Sequence, residues 1–301
     1  MWIALSLVSA LLLGGYEVLK KLALRGNAVL PVLYVASLAG ALAFAPILVL
    51  SAVVPDASGV MGLLYMPPMT WHQHALTLVK SGIVGVSWVL SYYAMRYLPI
   101  TIVSPTHAIS PMFTLLGAVT LLGESLSVTQ WIGVVVTMTF FWFFSQAGKL
   151  ESISFFRNRW MLCLYCGMLL SATSGLFDKY LLARVGLPKA TMQAWFNIYM
   201  LAVLLPFVLL KWWPTRRENR FVFRLAAPLI GLCLAVADFV YFHALSHPDS
   251  LVSIVSALRR CSVVVPFAIG AIFLREQHIL RKLLFLLGMM LGVALILVSD
   301  F

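Results

Sequence analysis

Long apolar runs separated by short polar segments restrict what this chain of 301 residues can fold into. Most runs are about twenty residues long, the length an α-helix needs to cross roughly 30 Å of hydrocarbon. Hydrophobic residues make up 62% of the chain and charged residues only 10%, against roughly a quarter charged in ordinary soluble domains. The sequence therefore predicts an all-α membrane protein and excludes a water-soluble domain, whose surface could not be this apolar.

We predict ten transmembrane helices, bounded by charges, glycines or prolines. They cover residues 2–19, 30–54, 75–95, 99–121, 127–147, 160–178, 191–210, 226–246, 250–273 and 283–299. Two helix starts, at residues 70–73 and 127–130, fit the capping-box pattern, in which two backbone donors are satisfied reciprocally. Met1 leads into the first run without a basic segment, so we expect a span there and no cleavable signal.

The second half of the chain repeats features of the first half in the same order. Lys20 corresponds to Lys179, and residues 92–94, 103–104 and 123–124 correspond to 242–244, 252–253 and 275–276, at offsets of 149 to 159. We predict five-helix repeats at 1–147 and 160–301, joined by a loop at 148–159. Because five is odd, the second repeat must insert upside down, an arrangement typical of secondary transporters that work by alternating access.

The net charge of +11 resides mostly in the short loops. Fifteen lysines and arginines lie in loops after odd-numbered spans, where they orient a membrane protein rather than bind nucleic acid. The positive-inside rule predicts that these loops are cytoplasmic and that both chain ends lie outside. We place the protein in the inner (plasma) membrane, with the lipid bilayer and a small-molecule substrate as partners. We expect no nucleic-acid partner, and the sequence is compatible with a homodimer.

Several short motifs resemble those of EamA-type members of the drug/metabolite transporter superfamily. They lie at 92–98, 103–104, 121–126, 256–260 and 273–276. The resemblance implies transport without ATP, usually export of amino acids, other metabolites or drugs, through a central cavity between the halves. Family members commonly have both ends in the cytoplasm, opposite to the orientation that the loop charges predict. Arg259 and Arg260 also resemble a Lys-Arg pair of the triose-phosphate translocators, which implies an anionic group nearby.

Charges inside a span cost roughly 2.5–3.5 kcal/mol each on insertion scales, so they mark candidate functional residues. Arg259 and Arg260 lie near the middle of the ninth predicted span. Adjacent residues point about 100° apart on a helix. We therefore expect one arginine to bind a substrate anion and the other to pair with Asp238, the alternative being a purely structural arginine–aspartate pair.

Two acids near lysines are candidates for gating. Glu17 lies three residues before Lys20, and Asp178 stands beside Lys179, in corresponding regions of the two repeats. Their ion pairs could re-form during gating, with Lys179 contacting the substrate, or the lysines could simply reach the membrane interface.

Histidines and aromatic residues inside the spans complete the candidates. His107 and His243 could relay a proton, although a lone histidine on an apolar helix is more often a packing residue. Prolines in the fourth and ninth spans predict kinked helices bordering the cavity. Trp88, Tyr92 and Tyr241 could line the cavity, or pack, or belong to the interfacial belt.

These residues lead to a prediction of function. We predict an exporter or exchanger of a small anionic or zwitterionic metabolite. The alternative is a proton-coupled cation or multidrug exporter, in which Glu17 is the coupling acid. Neither H-E-x-x-H nor G-x-S-x-G occurs, so we expect no enzyme, and we expect no cofactor or metal.

Overall fold

The computed structural model describes residues 2–54, 62–110, 113, 127–149, 153–183, 185–245, 259, 261–273 and 278–298. Helices account for most of these ranges. They are α1 (Trp2–Leu24), α2 (Val29–Val53), α3 (Trp71–Tyr97), α4 (Ile100–Ala108), α5 (Val128–Lys149), α6 (Arg159–Ala183), α7 (Lys189–Phe207), α8 (Ala226–Leu245), α9 (Val264–Ile272) and α10 (Ile279–Val298). A π-helical segment (Val208–Trp212) extends α7, and a 3-10 turn (Cys261–Val263) precedes α9.

Six helical segments in the described ranges are long and apolar enough to cross a membrane, namely α1, α2, α3, α5, α7 with its extension, and α10. Both predicted capping boxes are confirmed. The Thr70 backbone N–H donates to Gln73 Oε1 at 2.9 Å, and the Gln73 N–H donates back to Thr70 Oγ1 at 3.4 Å. Ser127 and Gln130 make the same two bonds at 3.0 and 3.2 Å. The count of ten spans stays a prediction.

Helices of the first half pack mainly against helices of the second half. The most extensive contacts join α5 to α10, α1 to α8 and α3 to α6, followed by α2 to α8, α2 to α7 and α3 to α7. If each helix is replaced by the helix five places before or after it in the chain, the same six helix pairs result. The pair α1–α8 becomes α6–α3 and α2–α8 becomes α7–α3, whereas α5–α10 and α2–α7 exchange with themselves.

Two interhelical hydrogen bonds also correspond to each other when each helix is exchanged for the helix five places away. Ser9 Oγ donates to the Ala237 carbonyl at 2.8 Å, joining α1 to α8. Ser87 Oγ donates to the Gly167 carbonyl at 2.7 Å, joining α3 to α6. Ser9 and Gly167 are 158 positions apart, and Ser87 and Ala237 are 150 apart. Both values match the offsets of the sequence repeat to within a residue.

The two ends of the helical bundle differ in their contacts. At one end, Lys21 Nζ donates to the Met95 and Leu98 carbonyls, so α1 and α3 finish side by side. We name this the basic end, because the loops after odd-numbered predicted spans lie there. At the opposite end α3 and α7 begin, and His74 Nδ1 and Tyr199 OH lie 2.9 Å apart.

Candidate functional site

A cavity of about 200 Å³ lies between α1, α4, α6 and the start of α9. Under the five-helix exchange, α1 corresponds to α6 and α4 to α9, so the cavity lies where corresponding helices of the two halves meet. Its wall is formed by Leu13, Tyr16, Glu17, Ser104, His107, Ser110, Ser171, Ser262, Val263 and Pro266. Since a water molecule takes about 30 Å³ of liquid volume, this space holds several waters or one small metabolite.

Among the described residues of this wall Glu17 is the acid, and one of its two carboxylate oxygens has a hydrogen-bond partner. Its Oε1 accepts a hydrogen bond from Lys20 Nζ at 2.9 Å, one turn along α1. Its Oε2 is buried and has no hydrogen-bond partner among the described residues. Lys20 is only 4% exposed, and its ammonium lies 4.7 Å from the ring centroid of Tyr16 and 5.0 Å from that of Tyr92. Glu17 therefore retains one acceptor oxygen that can bind a ligand.

Serine hydroxyls give the cavity hydrogen-bonding groups without a net charge. Ser104 Oγ is buried and has no hydrogen-bond partner in the described ranges. Ser171 lies across the cavity on α6, and Ser262 belongs to the 3-10 turn before α9. A hydroxyl can both donate and accept, so this wall suits a ligand carboxylate as well as water.

Tyr16 separates this cavity from a smaller one. The smaller space, of about 10 Å³, is lined by Trp88 and Tyr92 among others, and it is just large enough for one water. Tyr16 and Tyr92 both lie in the wall of the smaller space. Trp88 packs edge-to-face against Phe196 with 5.8 Å between ring centroids. Trp88 and Tyr92 thus line the smaller space, not the larger one.

Asp238 and Arg259 form an ion pair between α8 and the ninth predicted span. The second oxygen of Asp238 accepts a hydrogen bond from Gln193 Nε2 at 3.3 Å, and the Arg259 guanidinium lies 4.2 Å from the ring centroid of Tyr241. This is the pairing that we expected for one of the two arginines. Neither Arg259 nor Tyr241 belongs to the wall of either cavity, so their contact with substrate stays a prediction.

Asp178 pairs with a lysine that the sequence analysis did not include among the candidates. Its Oδ1 lies 2.5 Å from Lys80 Nζ, which joins α6 to α3. Lys80 is 5% exposed, and its ammonium lies 5.0 Å from the ring centroid of Phe196 and 3.9 Å from Met192 Sδ. The sequence contained a signal for Lys80, since a lysine inside a span is costly and marks a candidate site.

Three predicted site residues cannot be placed. Arg260 and the side chains of Lys179 and His243 lie outside the described residues. Of the two histidines, His107 lies in the wall of the larger cavity. Sequence reasoning missed Tyr16, Lys80, Gln193 and the serines, because tyrosine, glutamine and serine carry no charge that would single them out inside a span.

The two lysine–acid pairs lie on opposite sides of the larger cavity. Lys20 contacts Tyr92, whereas Lys80 precedes Tyr92 by twelve residues on α3, about 18 Å of helix rise. Ser171 lines the cavity, and Asp178 lies seven residues further along α6, about 10 Å towards the opposite end. The cavity is therefore bracketed by Glu17–Lys20 towards the basic end and by Asp178–Lys80 towards the opposite end.

The first half of the chain, residues 1–146, matches the model of the EamA-like transporter family. These residues, nearly half of the chain, are similar to the EamA-like transporter family. The predicted resemblance is thereby confirmed, and with it the class of multi-pass membrane transporters of the drug/metabolite type, which are not enzymes. No curated protein matches the chain.

Similarity to a family of membrane transporters accounts for the apolar exterior of the helices. Leu11 and Leu42 are each 62% exposed, as is Leu284 on α10. In a lipid bilayer such side chains face hydrocarbon, so they need no protein partner. An EamA-like protein is thus a helical membrane protein whose partners include the bilayer and a small-molecule substrate.

Proposed function

We propose that this EamA-like protein is a secondary transporter of a small zwitterionic metabolite, an exporter or exchanger that works by alternating access. The observation that carries the proposal is Glu17 in the cavity wall, which pairs with Lys20 through Oε1 and whose Oε2 has no hydrogen-bond partner among the described residues. A ligand ammonium can bind to this oxygen, while the ligand carboxylate accepts hydrogen bonds from the serine hydroxyls. A zwitterion is one of the two substrate classes that the sequence predicts.

Charge balance favours a zwitterion over a simple anion. Glu17 and Lys20 neutralise each other, so an ion of one sign would enter the cavity without a full counter-charge, which is costly away from water. Arg259, the group expected to attract an anion, is already bound to Asp238. A zwitterion carries both charges and leaves the total charge of the site unchanged.

A second candidate is the proton-coupled cation exporter. It is favoured by the same unpartnered oxygen, because a cation and a proton could compete for Glu17. Lys20 weakens this candidate, since its ammonium, 2.9 Å from Glu17 Oε1, already balances the carboxylate, so a lone cation would leave the site with a net positive charge. The two candidates differ in whether a lone cation binds.

The inverted repeat is supported by the packing. The helix contacts are preserved when the two halves are exchanged, and the Ser9–Ala237 and Ser87–Gly167 hydrogen bonds correspond to each other. In a pair of inverted repeats, exchanging the conformations of the halves moves the opening from one side of the membrane to the other. We propose ten spans arranged as two such repeats in the inner membrane.

Ligand binding tests the proposal through Glu17. We expect zwitterionic metabolites to raise the thermal unfolding temperature of the purified wild type in detergent, and Glu17→Gln to lose this response. A ligand at a hundred times its dissociation constant stabilises by about 2.7 kcal/mol. Glu218→Gln, which neutralises an exposed loop acid, is the matched control and should keep the response. Stabilisation by lone cations instead would support the second candidate, and stabilisation by anions alone would contradict both.

We expect two of the ion pairs, Glu17–Lys20 and Asp178–Lys80, to act as gates on opposite sides of the larger cavity. In a variant lacking Cys163, Cys166, Cys233 and Cys261, Ser171→Cys reports access to the cavity through its labelling rate with a membrane-impermeant thiol reagent. We expect Lys20→Met to raise labelling from the basic end and Lys80→Met to raise it from the opposite end. Each rate should change about tenfold for a shift of about 1.4 kcal/mol in the open–closed equilibrium.

The labelling experiment includes a charge-exchange control, and some of its outcomes would contradict the two-gate arrangement. Restoring a pair with exchanged charges, as in Lys80→Asp with Asp178→Lys, should return the rate towards that of the parent. Equal increases from one side in both lysine variants, or no increase in either, would contradict the two-gate arrangement. Because no ligand is added, the outcome does not depend on the substrate class.

A further inference from the structure

The segment from residue 211 to 225, which we name the basic platform, has an unusual concentration of positive charge at the basic end. It contains one acid, Glu218, and five basic residues, namely Lys211, Arg216, Arg217, Arg220 and Arg224. All of these except Arg224 are exposed. A function in substrate transport does not account for them, because they lie beyond the ends of α7 and α8 rather than at the cavity.

The basic platform is tied to the bundle by specific hydrogen bonds. Asn27, in the turn between α1 and α2, donates to the Val222 carbonyl at 2.7 Å and accepts from the Val222 N–H at 2.9 Å. Arg224 donates to the Leu22 and Arg25 carbonyls at 2.9 and 2.8 Å, near the C-terminus of α1. Arg224 thus holds the platform in place, and the other four basic residues project from a fixed backbone.

Apolar and aromatic side chains accompany these charges. Trp213 is 51% exposed, and the Arg216 guanidinium lies 4.3 Å from its ring centroid. Leu210, Phe223 and Leu225 are 74%, 61% and 73% exposed. Apolar side chains of this size, exposed beside arginines and a tryptophan, fit the boundary between acyl chains and headgroups, where both kinds of group are satisfied.

We propose that the basic platform binds the phosphate groups of anionic phospholipids in the adjoining leaflet. Arginine suits this ligand because its planar guanidinium can donate two parallel hydrogen bonds to a phosphate. The negative surface of a leaflet attracts clusters of four to eight basic residues placed directly beside a membrane span. Bound lipid would link α7 and α8 to the α1–α2 turn through the contacts of Asn27 and Arg224.

The test compares lipids of different charge around the full-length protein. In nanodiscs, replacing about a third of a zwitterionic phosphatidylcholine by phosphatidylglycerol should raise the thermal unfolding temperature by about 5 °C. The gain should be lost in the triple variant Arg216→Gln, Arg217→Gln, Arg220→Gln. It should also shrink in 1 M salt, where the Debye length is about 3 Å. Inorganic phosphate in phosphatidylcholine nanodiscs should give no comparable gain.

A matched control separates a local site from the overall charge of the molecule. The triple variant Arg25→Gln, Arg157→Gln, Arg281→Gln removes the same charge from exposed positions near the same end, and it should keep the response to phosphatidylglycerol. Equal loss in both variants would overturn the proposal in favour of a general field effect. A gain from phosphatidylglycerol that survives in the platform variant, or no gain in the wild type, would also overturn it. None of these outcomes depends on the transported substrate.

Discussion

Replacing Gly231 by alanine should lower the free energy of unfolding by about 3 kcal/mol, the upper part of the range for overpacking a tight interface. The reason lies where α8 meets α2. A Cβ added to Gly231 would overlap the Ala36 carbonyl oxygen and would stand 2.9 Å from the Gly40 backbone nitrogen. Both are backbone atoms of α2, so no side-chain rotation can relieve the overlap and the helices must separate.

Thermal unfolding in detergent measures this effect, and the chain provides matched controls. At about 2–4 °C for each kcal/mol, we expect the midpoint of Gly231→Ala to fall by about 6–12 °C. Around Gly82 on α3 and Gly175 on α6, no described residue outside the adjoining turns of the same helix has an atom within 4 Å of an added Cβ. Alanine there should stabilise by about 0.5–1 kcal/mol, because glycine is a poor helix former. Similar midpoints for all three variants would contradict the close α2–α8 approach.

Helices and their starts could be predicted from the sequence because local physics determines them. Apolar length specifies where a span can lie, and the capping boxes at Thr70 and Ser127 specify where two helices begin. The fourth predicted span, at 99–121, is described only in part. Helix α4 covers Ile100–Ala108, a turn follows at Ile109, and Ser110 and Phe113 are again helical.

Partners across the bundle could be predicted only in part. Asp238 was matched to an arginine because both charges are deep in spans and each needs a counter-charge. Asp178 was matched to its neighbour Lys179 by adjacency in sequence, and that pairing stays a prediction because the Lys179 side chain lies outside the described residues. The structure adds a contact of Asp178 with Lys80 on another helix. Adjacent helical residues point about 100° apart, so adjacency is weak evidence for an ion pair.

The cavity itself could not be predicted residue by residue. Kinks in the fourth and ninth spans were expected to border it, and Ser104, His107 and Pro266 do lie in its wall. Ser171 and Ser262 carry no comparable signal, because serine is tolerated on any face of a membrane helix. Only the packing of α1 and α6 against α4 and α9 decides which serines face the space.

Asp238→Asn should be the most damaging single neutralisation inside the spans. Asp238 accepts hydrogen bonds from Arg259 and Gln193, and the two charged side chains are only 16% and 24% exposed. Removing the carboxylate leaves the Arg259 guanidinium in a low-dielectric environment without a counter-charge, which costs about 3 kcal/mol or more for a buried pair. We expect the midpoint of thermal unfolding to fall by about 6 °C or more.

The double variant Asp238→Asn, Arg259→Gln distinguishes a structural pair from a substrate-binding one. Removing both charges takes away the desolvation cost together with the attraction, so most of the lost stability should return. An equal fall in the single and double variants would contradict the pairing. If the pair is structural, the double variant keeps the response to zwitterionic ligands that Glu17→Gln loses. If Arg259 contacts the substrate, the double variant folds but loses the response, and the binding site extends from the serine-lined cavity to α8.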